Sequence, residues 1–281
     1  MNLLRKLFSK LRRRSIFIAP MLLSLALAST MDHAARAAGS PAIPRSQVTL
    51  LDGGFIDGKG LAGVDIQMEP HVKTYWRMPG DSGLPPIFDW SGSENLAEAT
   101  VLWPLPRRIA DPAGSILGYM DEVIFPVRII AQDGTKPVHL VLKLDYAVCG
   151  TLCVPLTGQT NLVLPPAPHQ GADVARIKDD LARVPPRLPL GAQLLSVMPD
   201  QTTPDAILVT TKDPLTDLYV EGPEGWYLGD AQAQSPTLWR VMILQKPKNA
   251  FLSYLHLTLT FVAPASASET SIILDASGSI R

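Results

Sequence analysis

Short apolar runs, broken every eight to twelve residues by Pro, Gly, Asp or Asn, dominate the pattern from about residue 45 onward. Val138-His-Leu-Val-Leu-Lys-Leu-Asp-Tyr146 is typical: rich in β-branched and large apolar residues, with partial period-2 alternation, which is the signature of a strand. The same pattern predicts strands at 47–51, 61–68, 71–77, 87–90, 97–103, 123–131, 138–146 and 159–164. A second series falls at 193–198, 206–211, 217–221, 226–228, 238–244, 256–262 and 271–274. Seven or so short strands in about 90 residues suit an immunoglobulin-like sandwich.

One stretch has the helical period. Asp173–Arg183 places Val174, Ile177 and Leu181 at i, i+3 and i+7. Leu164-Pro-Pro-Ala-Pro-His169 precedes it, and Val184-Pro-Pro-Arg-Leu-Pro189 follows and forces extended chain. The expected fold class is therefore all-β: two immunoglobulin-like sandwiches, 38–168 and 190–281, joined by a short helical, proline-rich linker at 169–189. Trp226, Tyr227, Trp239 and Phe251 of the second block are expected in its core or at the domain interface.

Residues 1–37 have a different character. Six basic residues and no acid occupy the first fourteen positions, an apolar run follows from Ile16 to Ala28, and Ala35-Arg36-Ala37 offers an A-x-A-like cleavage site. The run is shorter than the 18–20 residues or so that a span needs. This predicts an export signal cleaved near Ala37 and a periplasmic protein. Arg13-Arg14-Ser15-Ile16-Phe17 also has the twin-arginine pattern.

Composition then changes the picture of partners. The segment 1–37 takes with it seven of the 25 basic and one of the 26 acidic residues, leaving a net charge of −7. An acidic exported chain without a basic stripe is not a nucleic-acid binder. No G-x-S-x-G or Walker A occurs, so hydrolytic and nucleoside-triphosphate chemistry lack their usual scaffolds, and neither a cofactor nor a small-molecule substrate is expected.

The chemistry concentrates in Asp145-Tyr-Ala-Val-Cys149-Gly-Thr-Leu-Cys153-Val-Pro155, which holds the only two cysteines. A disulfide favours Cα atoms roughly 5.5–6 Å apart. On a straight strand, positions four apart would lie about 13 Å apart, at about 3.3 Å per residue. The pair can bond only if the chain turns between its members; Gly150 can supply a tight turn and Pro155 punctuates the far side. Closing so short a loop gains only about 2 kcal/mol, against about 3 for fifteen residues. A close pair also suits exchange, in which one thiolate attacks a partner and the second resolves the mixed disulfide. Three readings stay open: exchange, a structural clip on a non-catalytic adaptor, and a soft-metal site for an ion such as Cu(I) with His71, Met68, Met78 or Met120 as further ligands.

Two further segments are unusual for a plain sandwich. His71-Val-Lys-Thr-Tyr-Trp-Arg77 combines a histidine with adjacent aromatics, and Trp103 to Tyr119 is too long and irregular for a hairpin turn, as a flap over a site would be.

From about 65 to 165 the chain resembles the N-terminal periplasmic domain of DsbD-type thiol:disulfide interchange proteins, including the ScsB branch. The matching features are Trp103-Pro104, then Asp121-Glu-Val-Ile-Phe-Pro-Val127, then the apolar strand, then Tyr146-x-x-Cys149 and Cys153-Val-Pro155. The resemblance implies an immunoglobulin-like fold whose cysteine pair cycles between dithiol and disulfide beneath a cap loop. Cys153 would form the mixed disulfide and Cys149 would resolve it. By position Arg108–Tyr119 corresponds to the cap, with Ile109, Leu117 or Tyr119 shielding the pair; His71, Asp111, Asp145 and Tyr146 are the other residues expected near it. The cysteines are more closely spaced than in the best-known members. The resemblance stops short of their membrane and thioredoxin domains. The implied partners are a thioredoxin-like periplasmic protein, a membrane electron-transfer protein, or both.

Overall fold

The computed structural model describes residues 45–56, 59–80, 83–111, 114–248 and 250–275. The predicted export signal lies outside the described residues.

Among the described residues the first sandwich is built from ten strands. One sheet has the order β1 (Ser46–Ile56), β2 (Lys59–Met68), β8 (Glu122–Ala131), β5 (Leu96–Val101). The facing sheet runs β10 (Cys153–Leu164), β9 (Val138–Cys149), β3 (Lys73–Gly80), β7 (Gly114–Met120), β6 (Arg107–Asp111), with the short β4 (Ile87–Asp89) also paired to β9. Alternation decides which residues face the space between the sheets. Ala62, Val64 and Ile66 of β2, Val123, Phe125, Val127 and Ile129 of β8, and Leu140, Leu142, Leu144 and Val148 of β9 point between the sheets into one core.

The helix α1 (Val174–Ala182) forms where the period predicted it. It covers the outer face of the first sheet: Ile177 is fully buried among Leu51, Leu61 and Ile124. Gly63 leaves the room, since a Cβ there would lie 2.9 Å from Ile177. Asp180 accepts a hydrogen bond from the Ile124 amide at 2.9 Å, so the helix is bolted to the first sandwich rather than hanging between two domains. Desolvation of the Asp180 carboxyl raises its pKa despite that bond.

The second sandwich faces β11 (Leu194–Pro199), β12 (Ala206–Thr211), β16 (Leu238–Gln245) and β14 (Tyr227–Leu228), with β15 (Gln232–Ser235) also on β16, against β13 (Asp217–Glu221), β17 (His256–Ala263) and β18 (Ser266–Ile273). Trp239 lies in its core, but Phe251 is 78% exposed, contrary to expectation; it sits in the turn-rich connection before β17 rather than on a strand. The aromatic that serves the interface is Tyr219 of β13. It is buried in the first sandwich's core cluster, edge-on to Trp76 with ring centroids 5.5 Å apart. The two sandwiches thus share apolar packing and form one compact body. Among the described residues no helix is long and apolar enough to cross a membrane.

Candidate functional site

The cysteines sit at the tip of the β9–β10 hairpin. Cys149 ends β9, Cys153 begins β10, and the two are register partners with Cα atoms 4.0 Å apart, joined by a disulfide. The chain does turn between them, over Gly150–Leu152. It does so without left-handed backbone at Gly150; the positive-φ glycines among the described residues are Gly54, Gly114, Gly191 and Gly225.

The two sulfurs have different surroundings. Cys149 is 1% exposed, whereas Cys153 is an exposed residue. Even-numbered residues of β9 face the core, so Ala147 and Cys149 lie on the opposite face of their sheet. There a small second cluster forms from Cys149, Ala147, Tyr75 of β3 and Ile116 of β7, with Ile109 of β6 packed against it. β3 lies directly beside β9, with Lys73 as the register partner of Cys149. Two residues on, the Tyr75 hydroxyl reaches 2.8 Å from Cys149 Sγ and 3.5 Å from Cys153 Sγ. In the oxidised pair only the phenol carries a hydrogen, so Tyr75 donates.

The stretch read as an irregular flap is mostly regular. β6 and β7 form an antiparallel hairpin at the edge of the sheet, with Ile109 opposite Ile116. Of the proposed shielding residues, Ile109 lies against the cysteine cluster. Leu117 and Tyr119 do not: they fall on the other side of β7, in the main core. The Tyr119 hydroxyl donates to the Pro104 carbonyl at 2.7 Å, and burial pushes its pKa well above the ordinary phenol value. Period 2 accounts for the correction, because Ile116, one residue away, is what shares a face with Cys149.

Tyr146 also faces the core and exchanges a 2.7 Å hydrogen bond with Ser46 Oγ. Its ring lines a cleft of about 360 Å³ beside the hairpin with Leu84, Pro85, Ile87, Pro155 and Leu156. Asp145 lies at the same cleft and accepts from Thr157 Oγ1 at 2.6 Å. His71 occupies the exposed turn before β3, with its amide held by Asp121 Oδ1 at 2.6 Å and φ at 67°. The side chain of Asp111 lies outside the described residues. Among the described residues no group of three or more His, Cys, Asp or Glu converges as a metal site would.

Sequence reasoning did not single out Ile116, and it reached Lys73 and Tyr75 only as members of the unusual segment His71–Arg77, without tying them to the cysteines. The Tyr75–Cys149 contact bridges 74 positions of chain. Only the pairing of β3 with β9 reveals it, and no local pattern encodes that pairing.

Comparison with known proteins agrees with this geometry. Residues 44–165 match the family model described as the N-terminal domain of the thiol:disulfide interchange protein DsbD. Among solved structures, the N-terminal periplasmic domain of ScsB from Proteus mirabilis superposes with a TM-score of 0.61 at 20% identity, over 83% of this chain and 92% of that one. That likeness extends the shared fold across both sandwiches. Curated proteins give no match. Residues 44–165, with the disulfide at the tip of their last hairpin, are therefore similar to a domain of the DsbD N-terminal type.

Proposed function

We propose that the protein is a periplasmic thiol–disulfide exchange module that passes reducing equivalents to or from protein partners through Cys149 and Cys153. The observation that carries this reading is the asymmetry of the pair: an exposed Cys153 bonded to a buried Cys149 that receives a phenolic hydrogen bond. A staple has no use for one accessible sulfur and one secluded, hydrogen-bonded one. The match of residues 44–165 to the DsbD N-terminal family supports the same reading, and the periplasmic description of the ScsB domain supports the location.

The chemistry follows from the arrangement. In the dithiol state the Cys153 thiolate attacks one sulfur of a partner disulfide. That bond breaks, the partner's other sulfur leaves with the electron pair, and a mixed disulfide forms. Cys149 then loses its proton and attacks Cys153 Sγ. The intrachain disulfide closes, and the partner's first sulfur leaves as a thiolate. The module gives up two electrons and the partner gains them; the reverse sequence carries electrons the other way. Lys73, facing the same side as Cys149 across the β3–β9 pairing, and the Tyr75 hydroxyl are the groups that favour negative charge on the secluded sulfur. Partners of the thioredoxin-like class, or a membrane electron-transfer protein, fit such a site.

The test is the reduction potential of the pair, measured by equilibrating the protein with glutathione or dithiothreitol mixtures and counting thiols. A value within roughly −120 to −270 mV supports a cycling site. A value below about −300 mV marks a structural bond and removes the proposal. A Cys149→Ser variant, left with the exposed sulfur alone, is expected to trap a partner as a stable mixed disulfide.

A further inference from the structure

Among the described residues β6 is the outermost strand of its sheet and is paired only to β7. An edge hairpin of two short strands is marginal by itself and needs packing or anchoring to stay down. The anchor is in the second sandwich. Arg108, next to Ile109, bonds Asp217 through Nε (2.9 Å) and Nη2 (3.1 Å) and contacts Asp230 through Nη1 at 2.7 Å. Ser115 of β7 joins the cluster: its hydroxyl accepts from Arg108 Nη1 at 2.9 Å and donates to Asp230 at 2.9 Å. The Arg108 guanidinium lies 5.6 Å from the Tyr219 ring centroid. Both strands of the hairpin are thus held by residues of the second domain.

β3 is gripped in the same way. Arg77, two residues beyond Tyr75, bonds Glu221 of β13 through Nε and Nη2 at 2.6–3.1 Å and also contacts Glu269 of β18. Second-domain carboxylates therefore hold β3, which bears Tyr75, and the β6–β7 hairpin, whose Ile116 belongs to the cluster around Cys149 and whose Ile109 packs against it. The Arg108 cluster is only half-buried, so salt reaches it.

We propose that Arg108 is a positioning residue. By tying the β6–β7 hairpin to Asp217 and Asp230 it keeps Ile109 against the cluster around Cys149, and so the second domain secludes Cys149 and directs attack to Cys153. This rests on the exchange reading for its purpose, but the seclusion itself can be measured without any partner.

The measurement is the rate at which iodoacetamide alkylates Cys149 in reduced protein carrying Cys153→Ser, so that a single thiol reports. Against this background Arg108→Gln and the pair Asp217→Asn with Asp230→Asn are expected to raise the rate about five- to tenfold, the factor lost with one ordinary net hydrogen bond. Arg108→Lys, which keeps the charge but not the fork, recovers part of the seclusion. Added salt speeds labelling of the parent but not of the clamp variants. Arg240→Gln, which breaks the Arg240–Asp200 pair elsewhere in the second domain, controls for general loosening and leaves the rate unchanged. Parent-like rates in the clamp variants, or an equal rise in the Arg240→Gln control, overturn the proposal. The exchange reading fails separately, through the potential of the wild-type pair.

Discussion

The Tyr75 hydroxyl stands 2.8 Å from Cys149 Sγ, closer than its 3.5 Å to Cys153, so the phenol serves the buried member of the disulfide. A thiolate accepts a hydrogen bond more strongly than a disulfide sulfur does, because hydrogen bonds to ionised acceptors are roughly twice as strong as neutral ones. Tyr75 should therefore favour the state in which Cys149 carries charge: the leaving group when the pair opens and the nucleophile when it closes.

Replacing Tyr75 by Phe removes that donor and keeps the ring. In reduced protein carrying Cys153→Ser, the Cys149 pKa is expected to rise by about one unit, the equivalent of about 1.4 kcal/mol. Titrating the thiolate absorbance against pH reads the shift. An unchanged pKa would mean that the phenol is packing rather than tuning.

Tyr119 provides the contrast. Its hydroxyl also donates within a buried environment, but to Pro104 and on the core side of β7. Tyr119→Phe leaves that carbonyl without its partner and is expected to lower stability by about 1–3 kcal/mol in urea unfolding. The reduction potential of the cysteine pair should stay where it was. A shifted potential with unaltered stability would return Tyr119 to the site.

Much of the fold was legible because burial follows the strand period. β9 alternates cleanly from Val138 to Leu144 and α1 lies where Val174, Ile177 and Leu181 placed it, whereas β2 and much of β8 are buried on both faces. The cysteine hairpin was legible too, since two cysteines four apart can meet only across a turn. What the pattern could not give was the neighbourhood of Cys149. Tyr75 and Ile116 reach it through β3 and β7, and one residue of phase on β7 decides whether Ile116 or Leu117 faces the sulfur. Nothing local to Arg77 or Arg108 marks either as an anchor to the second sandwich. Their partners, Glu221, Glu269, Asp217 and Asp230, lie more than a hundred positions downstream, beyond any local signal.

The close approach of β3 and β7 gives another test. A Cβ at Gly118 would come within 2.2 Å of the Thr74 carbonyl oxygen, which is backbone and cannot swing aside. Gly118→Ala must push the two strands apart next to Tyr75. A loss of about 1–3 kcal/mol or more is expected, as for overpacking generally. Thermal or urea unfolding measures it; wild-type stability would mean that the strands part at no cost.

Asp200 supplies the pH dependence. Its carboxylate accepts from the Thr202 hydroxyl and amide at 2.7 and 2.8 Å and from Arg240 Nε at 2.6 Å. The Thr202 bonds, and behind them Arg240, hold its pKa well below the ordinary value of 3.8. A folded pKa depressed below the unfolded one contributes stability that is fully present above the unfolded value and is lost as pH falls toward the folded one. Asp200→Asn should therefore be less stable than wild type at neutral pH. The gap should hold down to about pH 5 and shrink below about pH 4, where the unfolded aspartate takes up its proton first. Urea unfolding of both proteins across that range checks the sign. A gap that persists undiminished to about pH 2 would locate the stabilisation in shape rather than charge.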